Sequence, residues 1–167
     1  MRLAIIGTRS PTRKQIEFAD VAAEYAISLE HEIATGAAEG IDAVAIEAAE
    51  RHKRVDLLHI YLPWSSFNSH LVPGRANVYV YTPGCGWEES VYRLHPFSGE
   101  LKPASFKLHA RNYGIVAGAD AVLALPGQEY GGTNQGMRIA QDLAKPLRVI
   151  TQGDSTCPAE IFELIEG

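Results

Sequence analysis

The stretch from Asp120 to Ala144 narrows the possible folds more than any other part of the chain. Asp120-Ala-Val-Leu-Ala-Leu125 is short, apolar and β-prone, and Pro126-Gly127 then leads to Gly131-Gly132-Thr133-Asn134-Gln135-Gly136. Beyond it, Met137, Ala140, Leu143 and Ala144 fall on one face at helical spacing, with Arg138, Gln141 and Asp142 on another. The pattern is strand, glycine-rich turn, helix. The first N–H groups of such a helix have no partner within it, and its aligned peptide dipoles place partial positive charge at the same end. An anion, most often a phosphate, satisfies both. Gly131 and Gly132 let a ligand approach the backbone closely, and Thr133 caps the helix or gives its hydroxyl to a phosphate oxygen. A tight turn with a Thr cap needs the same residues, so both readings stay open at this level.

Arg2-Leu-Ala-Ile-Ile6 is a compact apolar run ending at Gly7-Thr8-Arg9-Ser10, as a buried parallel strand and its turn would read. Ile16, Ala19, Ala23, Ala26 and Ile27 form the stripe of the following helix, with Pro11 and Thr12 near its start. The turn is the first βα loop, the usual ligand edge of an α/β sheet, where Arg9 is available to a phosphate or simply exposed. Glu32 to Thr35 is a second strand, followed by the small-residue turn Gly36-Ala-Ala-Glu-Gly40 and a helix carrying Ile41, Val44, Ala45, Ala48 and Ala49. Asp42 lies in the first turn of that helix, where the dipole favours a carboxylate. Glu39 stands at the presumed ligand edge and serves either as an acid, base or ribose acceptor, or as a plain exposed glutamate.

Val55 to Leu62 is the third strand. From Ser65 to Lys107 periodicity is lost, and a connection of that length inside a compact domain is usually functional. Trp64 and Trp87 are candidate stacking surfaces for a base; with Phe67 and Phe97 they would alternatively make a small satellite core. Helical character returns from Phe106 to Gly118. Leu147 to Thr151 is a final strand and Pro158 to Ile165 a closing helix. Alternating strands and helices predict one domain over residues 1–167, a three-layer α/β fold around a mostly parallel sheet of about five strands, with residues 65–107 inserted after the third.

A formal net charge of −5 speaks against a protein devoted to gripping a nucleic-acid backbone, although a local pocket can oppose the net sign. Cys85 and Cys157 have no metal spacing, and neither do His31, His52, His59, His70, His95 and His109. No metal and no resident cofactor is expected. His109 stands apart among the histidines because it falls within one helical turn of Arg111 and Asn112. The start on a strand, the absence of a membrane-length apolar run and the unpaired cysteines together suggest the cytoplasm.

Three segments, in order, resemble the SLOG superfamily: Gly7-Thr8-Arg9-Ser10, Thr35-Gly36-Ala37-Ala38-Glu39-Gly40-Ile41-Asp42, and Arg111-Asn112 leading to Gly131-Gly132-Thr133. This Rossmann-like group contains the DNA-processing protein DprA (Smf) and the LOG phosphoribohydrolases. Leu62-Pro63-Trp64, Phe67-Asn68, His95-Pro96 and Leu108 to Asn112 look most like a small single-domain branch of bacteria and phages. The resemblance implies strand order 3-2-1-4-5 and a nucleotide-like ligand over the carboxyl ends of strands 1 and 4, at the switch point of the sheet. It also implies a homo-oligomer. In the LOG enzymes an arginine matching Arg111 and a glutamate after the glycine-threonine pair cleave an N-glycosidic bond, but here Asn134, Gln135 and Gly136 follow Thr133.

The functional expectation is therefore a nucleotide or phosphoribosyl binder acting as sensor or sequestering protein. Gly131, Gly132 and Thr133 would hold a phosphate, Gly7, Thr8 and Arg9 would flank it, Arg111 would pair with it, and Asn112 would orient it or the sugar. Gly36 would permit close approach. The alternative is an N-glycosidic hydrolase in which Glu39, with Arg111, replaces the missing carboxylate, Glu129 being the other candidate. Further alternatives are DprA-like binding of single-stranded DNA, disfavoured by the acidic balance, and a protein-interaction module using residues 65–107. No membrane partner is expected.

Overall fold

The structure, a computed structural model, describes residues 1–128, 131–152 and 157–166. Its elements alternate through most of its length: β1 (Arg2–Gly7), α1 (Arg13–Ser28), β2 (Glu32–Thr35), α2 (Ile41–Arg51), β3 (Leu58–Leu62), β4 (Asn77–Val80), α3 (Glu88–Leu94), α4 (Pro103–Ala117), β5 (Ala121–Leu125), α5 (Gly132–Asp142), β6 (Leu147–Val149) and α6 (Pro158–Glu166). The strands form one sheet of six in the order β4-β3-β2-β1-β5-β6, and every pairing is parallel. β1 lies at the centre, with Leu3 opposite both Ile33 of β2 and Ala121 of β5. β1, β3 and β5 are buried on both faces along most or all of their length, which is why they read as unbroken apolar runs.

The expected sheet of five gains a strand. Without β4, the remaining order is the one implied by the resemblance; β4 comes from the stretch read as aperiodic and pairs with β3, Val78 opposite Ile60. All four of its residues are exposed at the sheet edge, so no alternation of apolar and polar side chains marks it. The same stretch also holds α3 and the first residues of α4, whose Pro103 occupies a position at the helix start that needs no donor. Residues Val55–Leu57 turn as a short 3-10 helix ahead of β3 and are not strand.

One face of the sheet is covered by α1, α2 and α6, and the other by α4 and α5. Ala19, Ala22, Ala23 and Ala26 of α1 lie in the same core as Ala45, Ala48 and Ala49 of α2. Small side chains let these two helices approach each other closely over the strands. Thr12 caps α1 with a reciprocal bond pair: its hydroxyl accepts from Gln15 N, and its own N–H donates to Gln15 Oε1. Gln15 Nε2 also donates to Pro126 O at 2.8 Å, tying this cap to the loop after β5. The chain leaves β1 for β2 on one side and returns to β5 on the other. The carboxyl ends of β1 and β5 consequently border an open crevice.

Candidate functional site

Three loops and one helix face meet at that crevice and enclose a cavity of about 480 Å³. The β1–α1 loop supplies Gly7, Thr8, Arg9 and Ser10, the β2–α2 segment Ala38 and Asp42, and the start of α5 Gly131, Gly132 and Thr133. α4 turns one face inward, with Ser105, Leu108, His109, Arg111, Asn112, Ile115 and Val116 in the wall. Ile6, Leu108, Ile115 and Val116 give the wall an apolar portion, and the loops give it polar groups.

Two glycines set how closely these loops meet. Gly40 has φ +84°, and a Cβ there would lie 2.3 Å from Thr8 O. Only glycine fits at that contact, where Ile41 N donates to Thr8 O at 3.2 Å. A Cβ on Gly36 would lie 2.6 Å from Arg111 Nη1 and 3.0 Å from Asp42 Oδ2. The bare backbone at Gly36 is what lets a guanidinium and a carboxylate converge there.

Arg111 is buried, 5% exposed. Its Nη1 donates to the carbonyls of Gly36 and, at 2.9 Å, Tyr61, while Nε donates to Asn112 Oδ1 at 2.9 Å. Its guanidinium carbon stands 5.4 Å from the centre of the Phe67 ring. Asn112 Nδ2 in turn donates to Gly132 O at 3.1 Å. Thus Arg111 joins the ends of β2 and β3 to α4, and Asn112 joins α4 to the start of α5. Burial brings the Arg111 guanidinium down to about 10, with Asp42 opposing the shift and Arg9 adding to it. Nη2 has no hydrogen-bond partner among the described residues.

Asp42 is the carboxylate of the cavity wall. Its Oδ2 accepts from Gly36 N and Ala38 N, each at 3.2 Å. Burial pushes its carboxyl above the usual range, against the pull of Arg111 and of those two N–H groups. It occupies the first turn of α2 as expected, but its place in the wall depends on contacts that sequence spacing does not display. On the inward face of α4, His109, Arg111 and Asn112 stood out in the sequence, whereas Leu108, Ile115 and Val116 were legible only as apolar residues of a helix.

At α5 the N-cap is Gly131, in extended backbone with no side-chain cap bond, and Thr133 sits inside the first turn. Of the two readings left open for Thr133, the cap is not met, because the helix begins two residues earlier than a Thr133 cap requires. A Cβ built on Gly131 would meet nothing within 4 Å among the described residues.

The structure brings Gly7, Thr8, Arg9, Arg111, Asn112, Gly131, Gly132 and Thr133 to one cavity, with Gly36 behind the wall against Arg111. It leaves out Glu39, which is exposed and not among the lining residues, and Glu129 lies outside the described residues. Trp87 packs beside Tyr61 and Tyr81, with its ring against Gly114 of α4, and so serves the core and not the cavity. Trp64 is half-buried edge-on to Phe67, with ring centres 5.3 Å apart, and is also outside the lining. These aromatic residues do not make one satellite core either: Phe67 packs on the core of the α1 and α2 face, Trp87 on that of the α4 and α5 face, and Phe97 is 64% exposed. Among the described residues no His, Cys, Asp and Glu side chains group as a metal site, and no helix is long and apolar enough to cross a membrane.

Residues 1–58 match the family model of DNA recombination-mediator protein A. No curated protein sequence matches the chain. Among solved structures, DNA processing protein A from Helicobacter pylori, described for its single-stranded DNA binding mode, is 22% identical with a TM-score of 0.68, covering 99% of this chain and 72% of that one. The molybdenum cofactor binding protein of Rippkaea orientalis is 20% identical with a TM-score of 0.62, covering 99% and 84%. The molybdenum cofactor carrier protein of Chlamydomonas reinhardtii is 13% identical with a TM-score of 0.65, covering 99% of each chain. The family-model match covers β1 to α2, and these solved structures share the fold along nearly the whole chain.

Proposed function

We propose that this chain binds a small phosphate-bearing molecule of nucleotide or phosphoribosyl class in the crevice between β1 and β5, as a sensor or sequestering protein. One observation carries this reading. The start of α5, which has no side-chain cap, opens on the same cavity of about 480 Å³ as Arg9 and Arg111, so the positive end of the helix dipole and two cations converge on one space. The volume lies within the range of roughly 300–1,000 Å³ usual for small-ligand sites. Phosphate would sit at Gly131, Gly132 and Thr133, beside Gly7, Thr8 and Arg9. Arg111 would reach it through Nη2, and Asn112 would hold the α5 turn in register. The wall of Ile6, Leu108, Ile115 and Val116 would take the apolar part of the ligand, such as a base.

Glycosidic hydrolysis through Glu39 gains no support from its exposed position. The solved neighbours are named for different ligands, single-stranded DNA and the molybdenum cofactor, and a ligand-binding use of this fold is what they have in common. The expectation of a homo-oligomer is carried as part of the proposal, and a monomer mass by light scattering would remove it.

The test is mass spectrometry of small molecules released from freshly purified, heat-denatured protein, followed by thermal titration with what appears. A ligand that binds only the folded state raises the melting temperature by mass action. An intact phosphorylated molecule, with a saturable shift that Arg9→Ala weakens, is the expected result. A free base with ribose phosphate would support hydrolysis instead. No shift across a panel of nucleotides, inorganic phosphate and short single-stranded DNA would remove the binding reading.

A further inference from the structure

His109 of the cavity wall has a neighbour behind it that the phosphate site does not use. Its ring lies 4.4 Å from that of His95, centre to centre and edge-on, and its Nδ1 is buried with no hydrogen-bond partner. His95 Nδ1 accepts from Phe97 N at 3.1 Å, so in the neutral ring the proton sits on Nε2 and is free to be donated. The third member is Arg138 on α5. Its Nε and Nη2 both donate to Gln135 Oε1, at 3.0 and 2.8 Å, and Gln135, fully buried, donates through Nε2 to Ser90 O at 3.3 Å.

Arg138 differs from the chain's paired arginines. Arg2, Arg13, Arg51, Arg54 and Arg93 each meet a carboxylate, whereas Arg138 meets only an amide oxygen among the described residues. A half-buried guanidinium held in place by a neutral acceptor keeps its charge and its remaining N–H groups for something else. Burial lowers Arg138 with no anion opposing. Burial also brings His109 down to about 4, with His95, Arg138 and Arg111 each adding. Spare N–H groups on Arg138 and His95 with no anion to meet them, behind a histidine that lines a cavity already open to an anion, are incomplete in one respect: they lack negative charge.

We propose that His95, His109 and Arg138 form a second anion subsite on the α4–α5 side of the cavity, so that the ligand carries two anionic groups. The first lies at the start of α5, and this inference rests on the phosphate reading of that terminus. His109, in the cavity wall, faces the ligand; Arg138 supplies charge and N–H groups behind it, and the neutral His95 ring supplies its Nε2–H. A ligand with one phosphate fills only half of the arrangement.

Titration with inorganic phosphate, followed by NMR of the histidine rings and of the Gly131 to Thr133 amides, tests this. The expected result is that the His95 and His109 ring signals move along a saturable curve, and that Arg138→Gln weakens this step about tenfold or more while the Gly131 to Thr133 response persists. Amides that saturate while both rings stay still would overturn the second subsite and leave the first standing. Rings that respond in an Arg138-dependent way while the amides do not would support the second subsite and remove the first. Silence at both places would remove both. Should Arg138→Gln lose the folded spectrum, Arg138→Lys keeps the charge without the two-pronged hold on Gln135. A weakened ring response in that variant supports the proposal, and an unchanged one overturns it.

Discussion

Taking a guanidinium out of water is costly, and Arg111 recovers that cost through bonds to the carbonyls of Gly36 and Tyr61 and to Asn112 Oδ1. Removing it leaves those acceptors buried and Asn112 without its anchor. Arg111→Ala is therefore expected to destabilise the fold by about 3 kcal/mol, read as a lower urea midpoint, besides weakening phosphate binding. Its effect on affinity has to be measured on whatever fraction stays folded. Gly36→Ala acts on the same centre from the other side, since the new Cβ would stand 2.6 Å from Arg111 Nη1. The buried head group has little room to yield, so a loss of roughly 1–3 kcal/mol is expected by the same measurement. Glu39 gives the contrast. It is exposed, and Glu39→Gln should change stability by less than about 0.5 kcal/mol and leave phosphate affinity unaltered. A loss of binding in Glu39→Gln would contradict the placing of the ligand.

At the scale of the element, the start of α5 separates stability from function. Gly131 is its N-cap, has no side-chain cap bond, and a Cβ there would meet nothing within 4 Å among the described residues. An aspartate is a better cap than glycine by a few tenths of a kcal/mol, yet its carboxylate would occupy the N–H groups that an anion needs. Gly131→Asp should thus raise the melting temperature slightly while abolishing the shift produced by phosphate. A variant that still responds to phosphate would show that the anion sits elsewhere. The βα units and this turn were legible because buried parallel strands leave unbroken apolar runs and a helix leaves a stripe at its own period. β4 was not legible: four exposed residues at an edge bury too little to impose a pattern. Nor was the role of Asp42, because two N–H groups folded back over it and an arginine from α4 define it, and neither is visible in the spacing. Trp87 shows the converse limit. An aromatic in a long connection suggests stacking on a base, but Gly114 of α4 leaves a bare backbone on which its ring packs.

For the whole molecule, these local charges add up to a dependence of stability on pH. His109 and His95 both titrate below their ordinary value in the folded chain, because burial disfavours the charged ring and nearby cations repel it. The unfolded chain, with a histidine pKa of about 6.5, then binds more protons than the folded one as the pH drops below that value. Stability conferred by the neutral rings is whole above about pH 6.5 and declines as the pH falls toward 4, where His109 itself takes a proton. A second decline begins lower, where Glu24, Glu30, Glu32, Asp56 and Glu88, all held below their usual range by hydrogen bonds and cations, become protonated. Asp42 runs the other way, since burial raises it and protonation relieves the cost. Melting temperatures measured from pH 7.5 to 4.5 should therefore fall with acidity, and His109→Gln should flatten that slope, because a glutamine has no proton to gain. Inorganic phosphate should reduce the slope in the unmutated chain as well, since an anion beside His109 favours the protonated ring and raises the pKa that the cations had lowered. If the slope of His109→Gln equals that of the parent, the histidine is not the group that acid protonates, and the neutral ring at the cavity wall loses its support.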